Sequence, residues 1–140
     1  MEIKEKIDNN GSGYQVKSII LVESNLSRKP NFSFDDLKLD VEIGTGVGVK
    51  DNIVNVQLKV NVKQMQNNTP LSELSATIVG TFEKNGESPI NNMEDFGKIN
   101  GASIIYPFIR EHIANLALKA GLGPILLPPV NFQKLNKNKQ

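Results

Sequence analysis

Two neighbouring segments of the chain alternate apolar and polar residues with a period of two, and this pattern constrains the fold more than any other feature. The segment LKLDVEIGTGVGV (37–49) has apolar residues at almost every odd position, with Lys38, Asp40 and Glu42 between them. The segment IVNVQLKVNVKQM (53–65) has them at the even positions from Val54 to Val62. Because the side chains of a strand point alternately to opposite faces, each segment predicts an antiparallel strand that is buried on one face.

Two further strands flank this pair. The segment YQVKSIILVESNL (Tyr14–Leu26) is rich in β-branched residues, and LSELSATIVGTFE (71–83) follows the turn signal QNNTP. The turn KDN (50–52) suits a hairpin between the two alternating strands. The connection SRKPNFSFDD (27–36) contains Pro30, Phe32 and Phe34. We therefore expect four antiparallel strands.

After the strands the apolar period changes to three and four residues, which predicts a long helix from about Ala102 to Ala120. Pro107 falls near the first turn, where a proline is tolerated or kinks the helix, and Gly121 suits the left-handed residue that closes a helix. Four strands followed by a helix predict an α+β fold in which the helix covers one face of the sheet. The apolar stripe of the helix is formed by Ile105, Phe108, Ile109, His112, Ile113, Leu116 and Ala120.

The segment GLGPILLPPVNF (121–132) is apolar and contains three prolines. Proline fixes φ and donates no hydrogen bond, so neither a helix nor a central strand continues through Pro128 and Pro129. We expect a rigid, extended segment, here called the strap (124–132), that lies against the rest of the protein. The final residues QKLNKNKQ are too short and too polar to predict a packed helix.

Length and composition place these elements in one globular domain. We expect a polar lead-in (1–13), a single domain (14–135) and a polar tail (136–140) in this chain of 140 residues. The net charge of +1 disfavours a nucleic-acid binder. No apolar run is long enough to cross a membrane, and the N-terminal segment lacks the apolar core of a signal peptide. We therefore expect a cytoplasmic protein.

Residues that could carry catalysis are scarce. The lack of cysteine excludes disulfides and thiolate metal sites, and we expect no cofactor. His112, the one histidine in the sequence, lies on the apolar side of the predicted helix, where a packed or interface residue is expected rather than a general base. The glycine-rich GTGVG (44–48) opens no helix and so lacks the context of a nucleotide-binding loop. We predict that the protein is not an enzyme.

The predicted elements offer more apolar surface than a four-stranded sheet and one helix can bury against each other. The helix stripe, the Phe32–Phe34 connection and the strap are all apolar. Small monomers seldom expose this much contiguous apolar area. The chain is therefore expected to oligomerise, to keep a groove for an apolar partner, or both.

Several motifs along the chain together resemble the SecB family of protein-export chaperones. They are the aromatic-proline-aromatic step Tyr106-Pro107-Phe108, the pair Arg110-Glu111, the glycine turn 121–123 and the ending Pro129-Val130-Asn131-Phe132. The segments LKLDVE (37–42) and YQV (14–16) are similar to the second and first strands of the family. The resemblance runs from about Tyr14 to Leu135.

The resemblance implies an ATP-independent holdase that binds unfolded preproteins in apolar grooves and keeps them competent for export. It implies a homotetramer, a dimer of dimers, whose long helices pack between the dimers. The interface residues expected on this basis are Ile105, Phe108, Ile109, His112, Ile113 and Leu116. The groove residues expected are Phe32, Phe34, Leu126, Leu127, Pro128, Val130 and Phe132.

In the SecB family, the translocase motor SecA docks on acidic residues of the sheet. This chain departs from that pattern. Glu23 matches one such position, whereas Ser27 and Ser75 stand where further acids are expected. Two other functions therefore remain open, a chaperone dedicated to one client such as an antitoxin, and an interaction module that is not coupled to SecA. An enzyme or a small-molecule binder ranks last.

Overall fold

The computed structural model describes residues 2–4, 13–90 and 92–138. The elements confirm the predicted α+β order of four strands followed by a long helix. In chain order they are β1 (Tyr14–Arg28), β2 (Lys38–Lys50), β3 (Ile53–Gln66), β4 (Thr69–Lys84), a single helical turn α1 (Met93–Asp95), a π-helical segment (Phe96–Gly101), α2 (Ala102–Lys119) and α3 (Phe132–Asn138).

The strands form one antiparallel sheet in the order β1-β4-β3-β2, so β1 and β2 are its two edges. Asn67 and Asn68, which join β3 to β4, both have positive φ values, of 50° and 63°. Two left-handed residues give a turn whose twist matches that of the flanking strands. The β2–β3 register runs without interruption from Lys38↔Met65 to Lys50↔Ile53, so the glycine-rich GTGVG lies in a regular strand without a bulge.

Helix α2 packs across β4 and β3 and buries one face of the sheet. The apolar residues of β3 from Val54 to Val62 that point to this face have no exposed surface. Gly80 in β4 permits the close approach, because a Cβ at this position would lie 2.7 Å from the Cγ2 atom of Ile105. The other face of the sheet is polar and is not covered by any helix of the described chain.

Helix α2 ends as the sequence predicts. Gly121 has a φ of 70°, and the amide of Leu122 donates to the carbonyl of Ala117 at 2.9 Å. This left-handed closure satisfies carbonyl groups that the last turn leaves free. Pro107 lies inside α2, in the second turn, and the helix continues through it.

The prediction that no helix forms at the C-terminus is wrong, because α3 spans Phe132–Asn138. The side chain of Asn131 accepts a hydrogen bond from the amide of Lys134 at 3.0 Å, as an N-cap does. Phe132 is buried in the core, and the Asn136 amide group donates to the carbonyl of Lys98 at 2.9 Å. These tertiary contacts stabilise a helix that local propensity alone does not predict.

Both ends of the chain were predicted to be polar segments. Most of the predicted lead-in, residues 5–12, lies outside the described residues. Residues 136–138 of the predicted tail belong to α3. Within the described ranges, no helix has both the length and the apolar character needed to cross a bilayer.

Candidate functional site

The covered face of the edge strand β2 is only partly shielded, because α2 crosses β3 and β4 but not β2. Val41, Ile43 and Val47 point to this face and are half-buried, whereas Leu39 and Val49 are exposed. An edge strand whose apolar face is only partly covered can contact another polypeptide.

Two clefts lie along this face of β2. The first has a volume of about 360 Å³ and is bounded by Val41 and Ile43 on one side and by Val130 and Leu135 of the C-terminal segment on the other. The second has a volume of about 520 Å³ and lies between the end of β2 and the α1 region. Its lining residues are Val47, Val49, Asn92, Met93 and Glu94.

The two clefts together are called the β2 groove below. From Val41 to Val49 the strand rises by about 27 Å at 3.3–3.4 Å per residue. The stretch of β2 that carries the two clefts is therefore as long as an extended segment of about eight residues.

The connection between β1 and β2, here called the crossover loop (29–37), brings two aromatic rings to the beginning of β2. The rings of Phe32 and Phe34 lie 5.0 Å apart, centroid to centroid. Phe32 is half-buried against the core and Phe34 is exposed. The Gln66 side chain at the end of β3 donates to the carbonyls of Ser33, at 3.2 Å, and Asp35, at 2.9 Å. The predicted aromatic pair therefore lies at the same end of the sheet as the first cleft.

The strap is extended and alternates between core and solvent. Leu126 is 70% exposed, whereas its neighbour Leu127 is 1% exposed. The hydroxyl of Tyr106 donates to the carbonyl of Pro128, which fixes the strap to α2. Burial raises the pKa of Tyr106, and the nearby Arg110 partly opposes this effect.

The predicted groove residues therefore divide into two sets. Leu126 and Pro128 are exposed, and Val130 is half-buried beside β2. Leu127 and Phe132 lie inside the core of the chain, so their assignment to a binding groove requires correction. The alternation follows from the anchoring of the strap, since an extended segment that lies on a core buries one side only.

The predicted helix interface also requires correction. Ile105, Ile109 and Ile113 have no exposed surface, because they pack on the sheet of the same chain. They leave no area for contact with a second copy. His112 and Leu116 are half-buried, whereas Phe108 is exposed.

The outward side of α2 carries its own apolar residues, Ile104, Phe108 and Leu118, which are exposed. A helix on a sheet needs its main apolar stripe for the core, so an interface with another copy must use the opposite side. In the sequence, the spacing of four residues between Ile104 and Phe108 indicates that both lie on this outward side of the helix.

His112 forms a side-chain contact with the sheet. Its Nε2 atom lies 2.8 Å from the Ser24 hydroxyl of β1, and the direction of the hydrogen bond depends on the tautomer of the ring. No group of three histidine, aspartate or glutamate side chains in the described ranges could hold a metal ion. The pair links α2 to the edge strand β1.

Edge strand β1 exposes an apolar patch that was not predicted from the sequence. Val16, Ile20, Leu21 and Val22 are each between 43% and 56% exposed. The run IILV (19–22) was the available signal, because consecutive apolar residues make both faces of a strand apolar.

The uncovered sheet face contains the positions considered for motor docking. The carboxylate of Glu23 lies 3.8 Å from the Lys59 ammonium group. Ser27 lies opposite Glu73 in the β1–β4 ladder, and Ser75 follows on the same face of β4. The face therefore mixes both signs of charge with neutral side chains.

Comparisons with known proteins agree with this architecture. The family model described as preprotein translocase subunit SecB matches residues 21–140. The protein-export protein SecB of Albidiferax ferrireducens is 24% identical over 95% of this chain and 88% of its own length. MJ0357 of Methanocaldococcus jannaschii is 27% identical over 99% of this chain and 88% of its own length.

A solved structure shares the fold. It is the SecB-like chaperone Rv1957 of Mycobacterium tuberculosis in complex with a ChAD peptide from the HigA1 antitoxin. Its TM-score with this chain is 0.70 at 19% identity, and the match covers 84% of this chain and 91% of that one. Because the family model spans the sheet from within β1 onward and every helix, the chain belongs to the SecB family.

Proposed function

We propose that the protein is an ATP-independent holdase that binds non-native polypeptides in the β2 groove and keeps them competent for export. The observation that carries the proposal is the apolar face of β2, which the helices of the described chain cover only in part and which the strap borders. The exposed members of the site are Phe34, Leu39, Val49 and Leu126.

The shape of the groove suits clients that have no fixed structure. Apolar contact is non-directional and scales with the area removed from water, so it accepts many sequences. An open groove about eight residues long gives each bound segment a limited area, and such a segment dissociates without an input of chemical energy. Membership of the SecB family supports this function.

The test uses a permanently unfolded, fluorescently labelled client and the full-length protein without nucleotide. We expect saturable binding and suppression of the aggregation of an unrelated unfolding protein. Failure of the folded protein to bind any unfolded chain would contradict the proposal.

A second function is a chaperone dedicated to one client, such as an antitoxin. The SecB-like neighbour was solved with a peptide from an antitoxin, which favours this alternative. Competition between an unrelated unfolded chain and polypeptides from the native host distinguishes the two. A general holdase binds both with similar affinity, whereas a dedicated one binds a single host polypeptide far more tightly.

Coupling to SecA is proposed to be weaker than in relatives that have a fully acidic docking face. Glu23 is engaged with Lys59, and Ser27 and Ser75 provide no charge. Because long-range attraction depends on net charge, a face of mixed sign attracts a basic partner only weakly.

We further propose a cytoplasmic homotetramer without catalytic activity. Two exposed apolar surfaces support assembly, the β1 edge (Val16–Val22) and the outward side of α2 with Ile104, Phe108 and Leu118. Two distinct surfaces of this kind suit a dimer of dimers, one for each type of contact.

A further inference from the structure

Arg28, the last residue of β1, donates hydrogen bonds to backbone carbonyls in two separate segments. Its Nε atom donates to Lys29 at 2.9 Å and its Nη2 atom to Pro30 at 3.1 Å, both at the beginning of the crossover loop. Its Nη1 atom donates to the carbonyl of Ala120 at 2.6 Å, at the end of α2. One half-buried side chain thus joins β1, the crossover loop and the C-terminus of α2.

The contact with Ala120 is favourable for two reasons. Ala120 is the C-cap of α2, where carbonyl groups have no partner within the helix and the helix dipole is negative. A guanidinium group supplies both a donor and a positive charge at this point. The strap begins only a few residues later, so the same contact fixes the place where the strap leaves the helix.

Arg28 also contacts the aromatic pair. The carbon atom of its guanidinium group lies 5.1 Å from the centre of the Phe32 ring, and Phe32 contacts Phe34. A planar guanidinium group can stack on a ring and present its donors to several carbonyls in a fixed fork, whereas a lysine ammonium group is a compact charge without this planar geometry. Phe34 is thus connected to Arg28 through Phe32, in addition to the hydrogen bonds from Gln66 to its neighbours Ser33 and Asp35.

We propose that Arg28 is a positioning residue for client binding, which holds the Phe32–Phe34 pair beside the β2 groove before a client arrives. The inference rests on the proposed holdase function. When a loop occupies its binding conformation only part of the time, the apparent affinity falls by that fraction. A loop that is correctly placed one-tenth of the time weakens client binding about tenfold.

The test compares Arg28→Lys with Arg110→Lys, which changes the other arginine of the sequence. Arg110 is exposed on α2 and distant in sequence from the crossover loop. Client affinity is measured in the otherwise natural sequence. The order of the loop is measured separately by fluorescence anisotropy in a Phe34→Trp background, because the sequence has no tryptophan and the new residue is a unique reporter.

We expect Arg28→Lys to weaken client binding about tenfold and to lower the anisotropy of the tryptophan at position 34, with little change in the far-ultraviolet circular dichroism. Arg110→Lys is expected to change neither quantity. Unchanged affinity and unchanged anisotropy in folded Arg28→Lys would overturn the inference.

Phe32→Leu provides a second variant if Arg28→Lys does not fold. It removes the stacked ring and leaves the three carbonyl hydrogen bonds of Arg28 in place. The inference predicts lower anisotropy at position 34 and weaker client binding, and unchanged values for both would overturn it. If the unmodified protein binds no client, the holdase function fails, and the anisotropy comparison still decides whether Arg28 orders the loop.

Discussion

At the scale of single residues, Leu126 and Leu127 show how sharply the strap divides core from candidate site. The first is 70% exposed and the second 1% exposed. Leu126→Ser is expected to weaken binding of an unfolded client at a nearly unchanged melting temperature. Leu127→Ser is expected to lower the free energy of unfolding by about 2–5 kcal/mol, as loss of a buried leucine side chain does. Thermal denaturation and client titration of both variants check this, and equal destabilisation by the two would contradict it.

We expect the folded protein to lose stability at alkaline pH because of its two tyrosines. Burial raises the pKa of Tyr14 and of Tyr106 in the folded state, so the folded protein binds their protons more tightly than the unfolded chain does. Their contribution to stability is complete below the unfolded pKa of about 10 and is lost as the pH rises through the higher folded values.

Tyr106→Phe separates the Tyr106 contribution from that of Tyr14. The variant loses the hydrogen bond to Pro128, which we expect to cost about 1 kcal/mol at neutral pH. It should also lose part of the decline in stability above pH 10. Urea denaturation at several pH values measures both effects, and an unchanged alkaline slope would show that Tyr106 does not contribute to it.

At the scale of elements, hydrophobic periodicity predicted β2, β3 and the long helix because each buries one face against a single core, whereas β-branched composition predicted β1 and a turn signal preceded β4. Alternation from 37 to 49 and from 53 to 65 marks β2 and β3, and the helical period marks α2. Periodicity did not show which apolar residues of α2 pack in the core of their own chain and which stay exposed. Helix α3 was missed because its stability depends on the burial of Phe132 and on the contact of Asn136 with Lys98, which the local sequence does not show. The Asn131 cap was the local signal for its start.

The two sides of α2 give opposite predictions for the same substitution. Ile109→Asp places a charge in the fully buried core and is expected to unfold the chain, because an unpaired buried charge costs several kcal/mol. Phe108→Asp changes an exposed residue and is expected to reduce the mass of the assembly while each chain stays folded. Circular dichroism and light scattering distinguish the two results. If Ile109→Asp instead stays folded and forms a smaller assembly, Ile109 lies at the interface between copies, as the sequence predicted.

At the scale of the whole molecule, the two edges of the sheet have different proposed uses. Edge β2 borders the groove and is proposed for clients, whereas edge β1 is apolar and is proposed for a second copy. Exposed edge strands carry free backbone groups that pair readily with other strands, so stable proteins cover or charge them. The β1 edge (Val16–Val22) contains one charged residue, Lys17, which lies 3.3 Å from Glu83, and the stretch from Ser18 to Val22 contains none, which favours pairing over protection there.

Val22→Lys and Val49→Lys test this division as a matched pair. Val22 of β1 is 56% exposed and Val49 of β2 is 44% exposed, so neither lysine should alter folding strongly. A lysine on an edge strand opposes pairing with another strand. We expect Val22→Lys to lower the mass measured by light scattering, with client binding per folded chain largely retained. Val49→Lys should keep the mass of the parent and weaken client binding. The reverse pattern would assign assembly to β2 and client binding to β1, because each substitution introduces the same side chain and only the edge differs.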